Sequence, residues 1–201
     1  MQGAIAVNTE RSGVAEPDAR DGQRDRVFRT AIAPLIDVAY RVLRRLGVHD
    51  REIDDALQTV LVAADRRFDE LEGPTVLKAF VCASCVNVAR DLGRRRARTT
   101  ARTKDVEDLE QSPTSEPGPE DALGRKEGLA MVQRILTSME EEKRVVFVLY
   151  ELEELTGQEI ADHLGIPVGT VSSRLRKARE EFRSAIARAH ASERNLERSG
   201  R

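Results

Sequence analysis

The sequence predicts an all-α protein: two small helical domains joined by a flexible acidic linker. Three observations carry this. Aromatic residues are only 3% of the 201 residues and Trp is absent, whereas strand-rich folds lean on aromatic and β-branched side chains. Apolar residues recur at steps of three and four over most of the chain. A break near 99–121 collects Pro113, Pro117 and Pro119 with many Ser, Thr and acids, which is linker chemistry.

The elements follow in order. Residues 1–24 are polar, hold Gly13, Pro17 and Gly22 and show no sustained period, so they are expected as a disordered arm. The first domain is expected over 25–100. Val27, Ala31, Leu35, Val38, Val42 and Leu46 form the stripe of its first helix, which Pro34 is expected to kink or divide. Ile53, Leu57, Val60, Leu61, Ala64 and Phe68 form the stripe of a second. Gly73-Pro74 marks a turn and a helix start, and Leu77, Phe80, Val81, Val88 and Leu92 follow on the third helix. After a linker over 101–120, a second domain is expected over 121–190 and a disordered tail over 191–201.

Four helices are expected in the second domain. The first covers 121–137, and Ser138 with Glu141 reads as a capping box opening the next. That helix carries Val145, Val146, Leu149 and Leu152, with Glu140, Glu141 and Glu142 suiting its N-terminal dipole. Thr156 with Glu159 is a further capping box, opening a short helix that Gly165 stops. After Ile166-Pro167 a longer helix carries Val171, Leu175, Ala178, Phe182 and Ile186 inward. A short helix, a tight turn and a longer helix make a helix-turn-helix.

The net charge of −2 argues against a chain that coats DNA, but the sum hides its parts. Seven basic residues stand against Asp91 between Arg90 and Lys104. Seven acids and no base follow between Asp105 and Asp121. Six bases stand against Glu180 and Glu181 between Ser172 and His190. On the last helix Ser172, Ser173, Arg176, Lys177 and Arg183 lie away from the apolar stripe. At the N-terminal end of such a helix, hydroxyl and basic side chains reach base edges and phosphates in a major groove. Gly169 and Thr170 leave room for close backbone approach, and the free N–H groups there suit a phosphate.

Several classes are excluded. The N-terminus MQGAIAVNTERSG has no secretory pattern, and the apolar runs are far shorter than a membrane span, so a cytoplasmic protein without membrane insertion is expected. Two Cys cannot staple a secreted fold. Cys82 and Cys85 lie inside an amphipathic helix and are expected to be buried and inert, and the three His show no ligand spacing. No metal, cofactor or catalytic residue is expected, so the protein is expected to be no enzyme.

EIADHLGIPVGTVSSRLRKARE, residues 159–180, resembles region 4 of the extracytoplasmic-function (ECF) sigma factors. Ile53-Asp54-Asp55-Ala56-Leu57-Gln58 resembles the acidic string of their region 2. The stretch from Phe80 to Asp91, with Asn87 and Asp91 ahead of the Arg run, resembles the part of region 2 that meets the minus-ten element. The resemblance covers roughly 25–100 and 120–188. It implies a transcription initiation factor that binds RNA polymerase core enzyme and directs it to promoter DNA. Carried over, Asp54, Asp55 and Gln58 would face the polymerase. Asn87, with Asp91 nearby, would capture a flipped base of the minus-ten element, and Arg94, Arg95, Arg96 and Arg98 would hold phosphates. Gly169, Thr170, Ser172, Ser173, Arg174, Arg176 and Lys177 would meet the minus-thirty-five element, with Arg174 and Arg179 on phosphates or in intramolecular pairs. Such proteins are commonly held inactive by an anti-sigma factor, so one is expected here. The competing expectations are a stand-alone helix-turn-helix regulator and a sigma-mimicking interaction protein.

Overall fold

The computed structural model describes the backbone of residues 19–102 and 121–199 and the side chains of residues 22–99 and 128–191. Most of the acidic linker, 103–120, lies outside the described residues, as does the arm before Ala19. Among the described residues there is no strand, in agreement with the all-α expectation.

The first unit is three helices: α1 (Ala19–Arg45), α2 (Asp50–Arg67) and α3 (Pro74–Arg102), with a short 3₁₀ turn at Phe68–Glu70. Its core takes Ile32, Leu35, Ala39, Val42 and Leu43 from α1, Leu46 from the turn after it, and Ile53, Ala56, Val60 and Ala64 from α2. Two expectations shift. Helix α1 starts at Ala19, inside the stretch read as an arm, because Arg24 finds partners on α2 and the turn after it. Its guanidinium donates to Asp65 and to Asp69, both at 2.8 Å. Pro34 does not divide α1. It is exposed, and the carbonyl it leaves without a donor, on Thr30, is on the water side too. Val27, expected inside, is half exposed.

The second unit is α4 (Asp121–Ser138), α5 (Glu141–Phe147), α6 (Gly157–Leu164) and α7 (Val168–Ser199). Helix α7 continues past residue 190, where a tail was expected. Helix α5 runs on into one π-helical stretch, Val148–Leu152. Ser138 does not cap α5. Met139 is drawn into the core, so the break falls later and Glu140 becomes the N-cap residue, while the Ser138 hydroxyl donates back to the Ile135 carbonyl. Leu136, Val145, Val146, Val148, Leu149, Ile160, Val171 and Ala178 fill the interior.

The two units are in contact, and their buried side chains form one continuous hydrophobic cluster. Helix α6 packs on α3, and α1 touches both α4 and the π-helical stretch. Helix α3 is buried on every side from Val81 to Val86, which a helix covered only by α1 and α2 would not be.

Candidate nucleic-acid interface

The helix-turn-helix is built by local chemistry. The Thr156 hydroxyl accepts from the Glu159 N–H at 3.2 Å, and the Glu159 carboxylate accepts from the Thr156 N–H at 2.7 Å. This is the expected reciprocal box, and the Thr156 hydroxyl and then its N–H hold the Glu159 carboxyl below the usual carboxylate range. Helix α6 ends at Gly165, whose φ of 65° is the left-handed conformation that glycine adopts without steric cost. The Pro167 carbonyl then accepts from Thr170 and Val171 to start α7.

Val171, Leu175 and Ala178 are buried, and Phe182 stacks on Phe147 with ring centres 4.8 Å apart. These contacts fix the rotation of α7 about its axis. That rotation leaves Gly169, Ser172, Ser173, Arg176 and Lys177 exposed together, with Thr170 half-buried beside them. The Ser173 hydroxyl donates to the Thr170 carbonyl at 3.0 Å, so its lone pairs still face outward. Among the described residues Arg176 meets only Glu180, at a loose 3.8 Å, and its side chain is 70% exposed.

Arg174 is different. It is ion-paired to Glu142 on α5. Arg179 is paired to Glu151 at 2.5 Å and lies over the Tyr150 ring. Both therefore sit in intramolecular pairs, one of the two placements expected of them. Glu142 and Glu151 act as braces, and sequence reading missed them because 32 and 28 residues separate them from their partners.

On α3, Asn87, Asp91, Arg94 and Arg98 fall at successive helical steps and are all exposed, with Arg95 beside them. Asp91 and Arg94 pair with each other, and the Arg98 Nε donates to the Arg94 carbonyl. Arg96 leaves this group. It turns inward, donates to the Gly47 carbonyl at 3.1 Å and approaches Glu52 at 3.8 Å. Asp54, Asp55 and Gln58 are exposed on α2, with no charged partner described for them, while Ile53, Ala56 and Val60 anchor the helix from below. The structure thus presents three separate polar faces, on α2, on α3 and on α7.

Cys82 and Cys85 are both fully buried, as expected. Burial, reinforced by the nearby Glu153 carboxylate, pushes the Cys82 thiol up to about 12. Among the described residues no helix is long and apolar enough to cross a membrane.

Residues 129–182, from α4 into α7, match the family model described as Sigma-70, region 4. The chain is similar to the RNA polymerase sigma-H factor of Pseudomonas aeruginosa, at 30% identity over 69% of this chain and 76% of that protein. It is 29% identical to the ECF RNA polymerase sigma factor SigE of Mycolicibacterium smegmatis over 78% of its length, and spans 60% of that relative. In fold it is similar to the sigma factor RpoE of Bartonella quintana, solved in complex with the anti-sigma factor NepR. The TM-score is 0.63 at 20% identity, over 81% of this chain and 98% of that one.

Proposed function

The chain belongs to the ECF family of RNA polymerase sigma factors, and from that premise we propose that it docks on core polymerase and directs it to promoters by binding alone, without catalysis of its own. Residues Asp54, Asp55 and Gln58 on α2 meet the polymerase. Asn87 takes a base of the minus-ten element, with Asp91 nearby, and Arg94, Arg95 and Arg98 hold backbone phosphates. Arg96 supports this face from behind by fastening α3 to the α1–α2 turn. On α7, Arg176 and Lys177 with Ser172 and Ser173 read the minus-thirty-five element, and the N-terminal N–H groups near Gly169 and Thr170 meet a phosphate. Arg174, braced by Glu142, flanks this surface.

The observation that carries the reading is the exposed polar face of α7. Its rotation is set by a buried apolar stripe and a capped partner helix, inside the segment that matches region 4. The protein works where polymerase does, inside the cell. The Bartonella complex supports an anti-sigma factor as a further partner. Run-off transcription with core polymerase on a library of genomic upstream fragments tests the proposal. Promoter-specific transcripts that need this chain are expected. The absence of both core binding and any such transcript would overturn it.

A further inference from the structure

A planar cation sits where the end of α2 meets α3. Arg67 is the last residue of α2, and its guanidinium carbon lies 5.4 Å from the centre of the Phe80 ring on α3. At that distance a cation is drawn to the face of a ring. Glu70, in the 3₁₀ turn, holds the same group from the side. The Arg67 Nε donates to one Glu70 carboxylate oxygen at 2.8 Å, and Nη2 stands 2.7 Å from that oxygen. Phe80 is half-buried and packs on the hydrophobic core, so the ring is a fixed seat. The Arg67 side chain is 56% exposed, which leaves the far face of the guanidinium plane to solvent.

Phe80, Asn87, Asp91 and Arg98 follow one another at steps of seven, four and seven residues, which on a helix puts them on one face within about 20°. Phe80 and Asn87 are two turns, or roughly 10 Å, apart along α3. We propose that the Arg67 guanidinium, seated on Phe80 and held by Glu70, is a stacking platform for a second unpaired nucleobase, a neighbour on the same strand of the one assigned to Asn87. This rests on the function proposed above.

Charge favours a base over a phosphate at this place. Glu70 balances the Arg67 charge, and Glu72 stands exposed two residues on, so a phosphate would meet carboxylates. A base face needs no net charge, and guanidinium planes stack on bases as rings do. The platform is also set in advance. An unheld Arg side chain loses rotamer freedom when it orders on a ligand, whereas here the ring and the carboxylate already fix the plane. The chain has no Trp, and the one ring on this face of α3 is covered by Arg67. The planar surface turned outward there is therefore the guanidinium and not the ring.

The test uses holoenzyme reconstituted with core polymerase and a single-stranded minus-ten oligonucleotide from a promoter found in the run-off assay. Each base is removed in turn to leave an abasic sugar, and binding is followed by fluorescence anisotropy at several salt concentrations. Asn87→Ala locates the base that Asn87 takes. In the wild type, removal of one further base is expected to weaken binding roughly 5- to 150-fold, the range for losing a stacked base. Arg67→Lys keeps the charge and lacks the plane. It is expected to weaken the intact oligonucleotide by a similar factor and to abolish sensitivity to that one base. The slope of log affinity against log salt is expected to stay unchanged. Arg67 and Glu70 are both more than half exposed, so the exchange does not reach the core, and equal urea midpoints check this. Wild-type affinity in Arg67→Lys overturns the proposal, because a point charge then suffices. A loss shared equally by every abasic oligonucleotide overturns it as well, since a purely structural role acts in that way. A salt slope lowered by about one in Arg67→Ala marks a phosphate contact and also overturns it. A wild-type chain with neither core binding nor promoter transcripts removes the proposed function and the platform with it. Core binding and sensitivity at the Asn87 base, with no position that depends on Arg67, remove the platform alone.

Discussion

Arg176→Ala separates base reading from backbone holding on α7. The Arg176 side chain is 70% exposed, and Glu180, its neighbour one turn on, is 74% exposed at 3.8 Å. An exposed pair of this kind is worth roughly 0.3–0.5 kcal/mol, so truncation leaves folding nearly untouched. In a major groove an Arg that meets a guanine edge with two hydrogen bonds contributes about 1–3 kcal/mol of discrimination. At 1.4 kcal/mol per decade that is roughly 5- to 150-fold. The assay is fluorescence anisotropy of the reconstituted holoenzyme on a minus-thirty-five duplex and on single-base variants, at two or more salt concentrations. Arg176→Ala is expected to weaken the preferred duplex by that factor and to flatten the preference at one base pair. Arg174→Ala is the contrast. It breaks a brace to Glu142, costs about 0.2–1 kcal/mol of stability, and weakens every duplex alike. A uniform loss for Arg176→Ala, or none, would refute the assignment of Arg176 to base reading.

Asp54→Ala combined with Gln58→Ala is expected to weaken core binding while shifting stability by less than about 0.5 kcal/mol, since both side chains are exposed. A pull-down on core polymerase beside urea unfolding checks both. Thr156→Ala removes the cap of α6 and is expected to cost about 1 kcal/mol in the same unfolding assay. Because the folded Glu159 carboxyl is depressed, its contribution is present above the unfolded value, hence at neutral pH. It is lost as pH falls through the folded value. A Glu159→Gln chain should therefore lose less stability on acidification than the wild type. Leu149→Ala, at a fully buried side chain within the π-helical stretch, is expected to cost about 2–5 kcal/mol by thermal or urea denaturation.

Elements whose cause is local could be read directly from the residues. The Thr156–Glu159 box, the Gly165 stop and the Val171–Leu175–Ala178 stripe need only neighbours within a turn or two, and each stands where its spacing places it. The polar face of α7 follows from that stripe by helical geometry alone. What depended on distant partners could not be read. Arg24 extends α1 because Asp65 and Asp69 lie across from it. Arg96 resembles its neighbours in the Arg run, yet it points to Gly47, a residue 49 positions away. The Ser138–Glu141 spacing is that of a capping box, but the demand of Met139 for the core moves the break past it. Spacing names candidates for a cap, and burial of the next apolar residue decides among them.

The same division explains why the charge pattern is legible as a composition and not as a mechanism. A run of Arg on α3 reads as one basic block, but on a helix its members point in different directions. Arg94, Arg95 and Arg98 face outward, Arg96 faces the α1–α2 turn, and Arg90 faces the second unit. One block is therefore divided three ways: an outward face proposed to meet nucleic acid, a fastening within the first unit and a contact with the second unit.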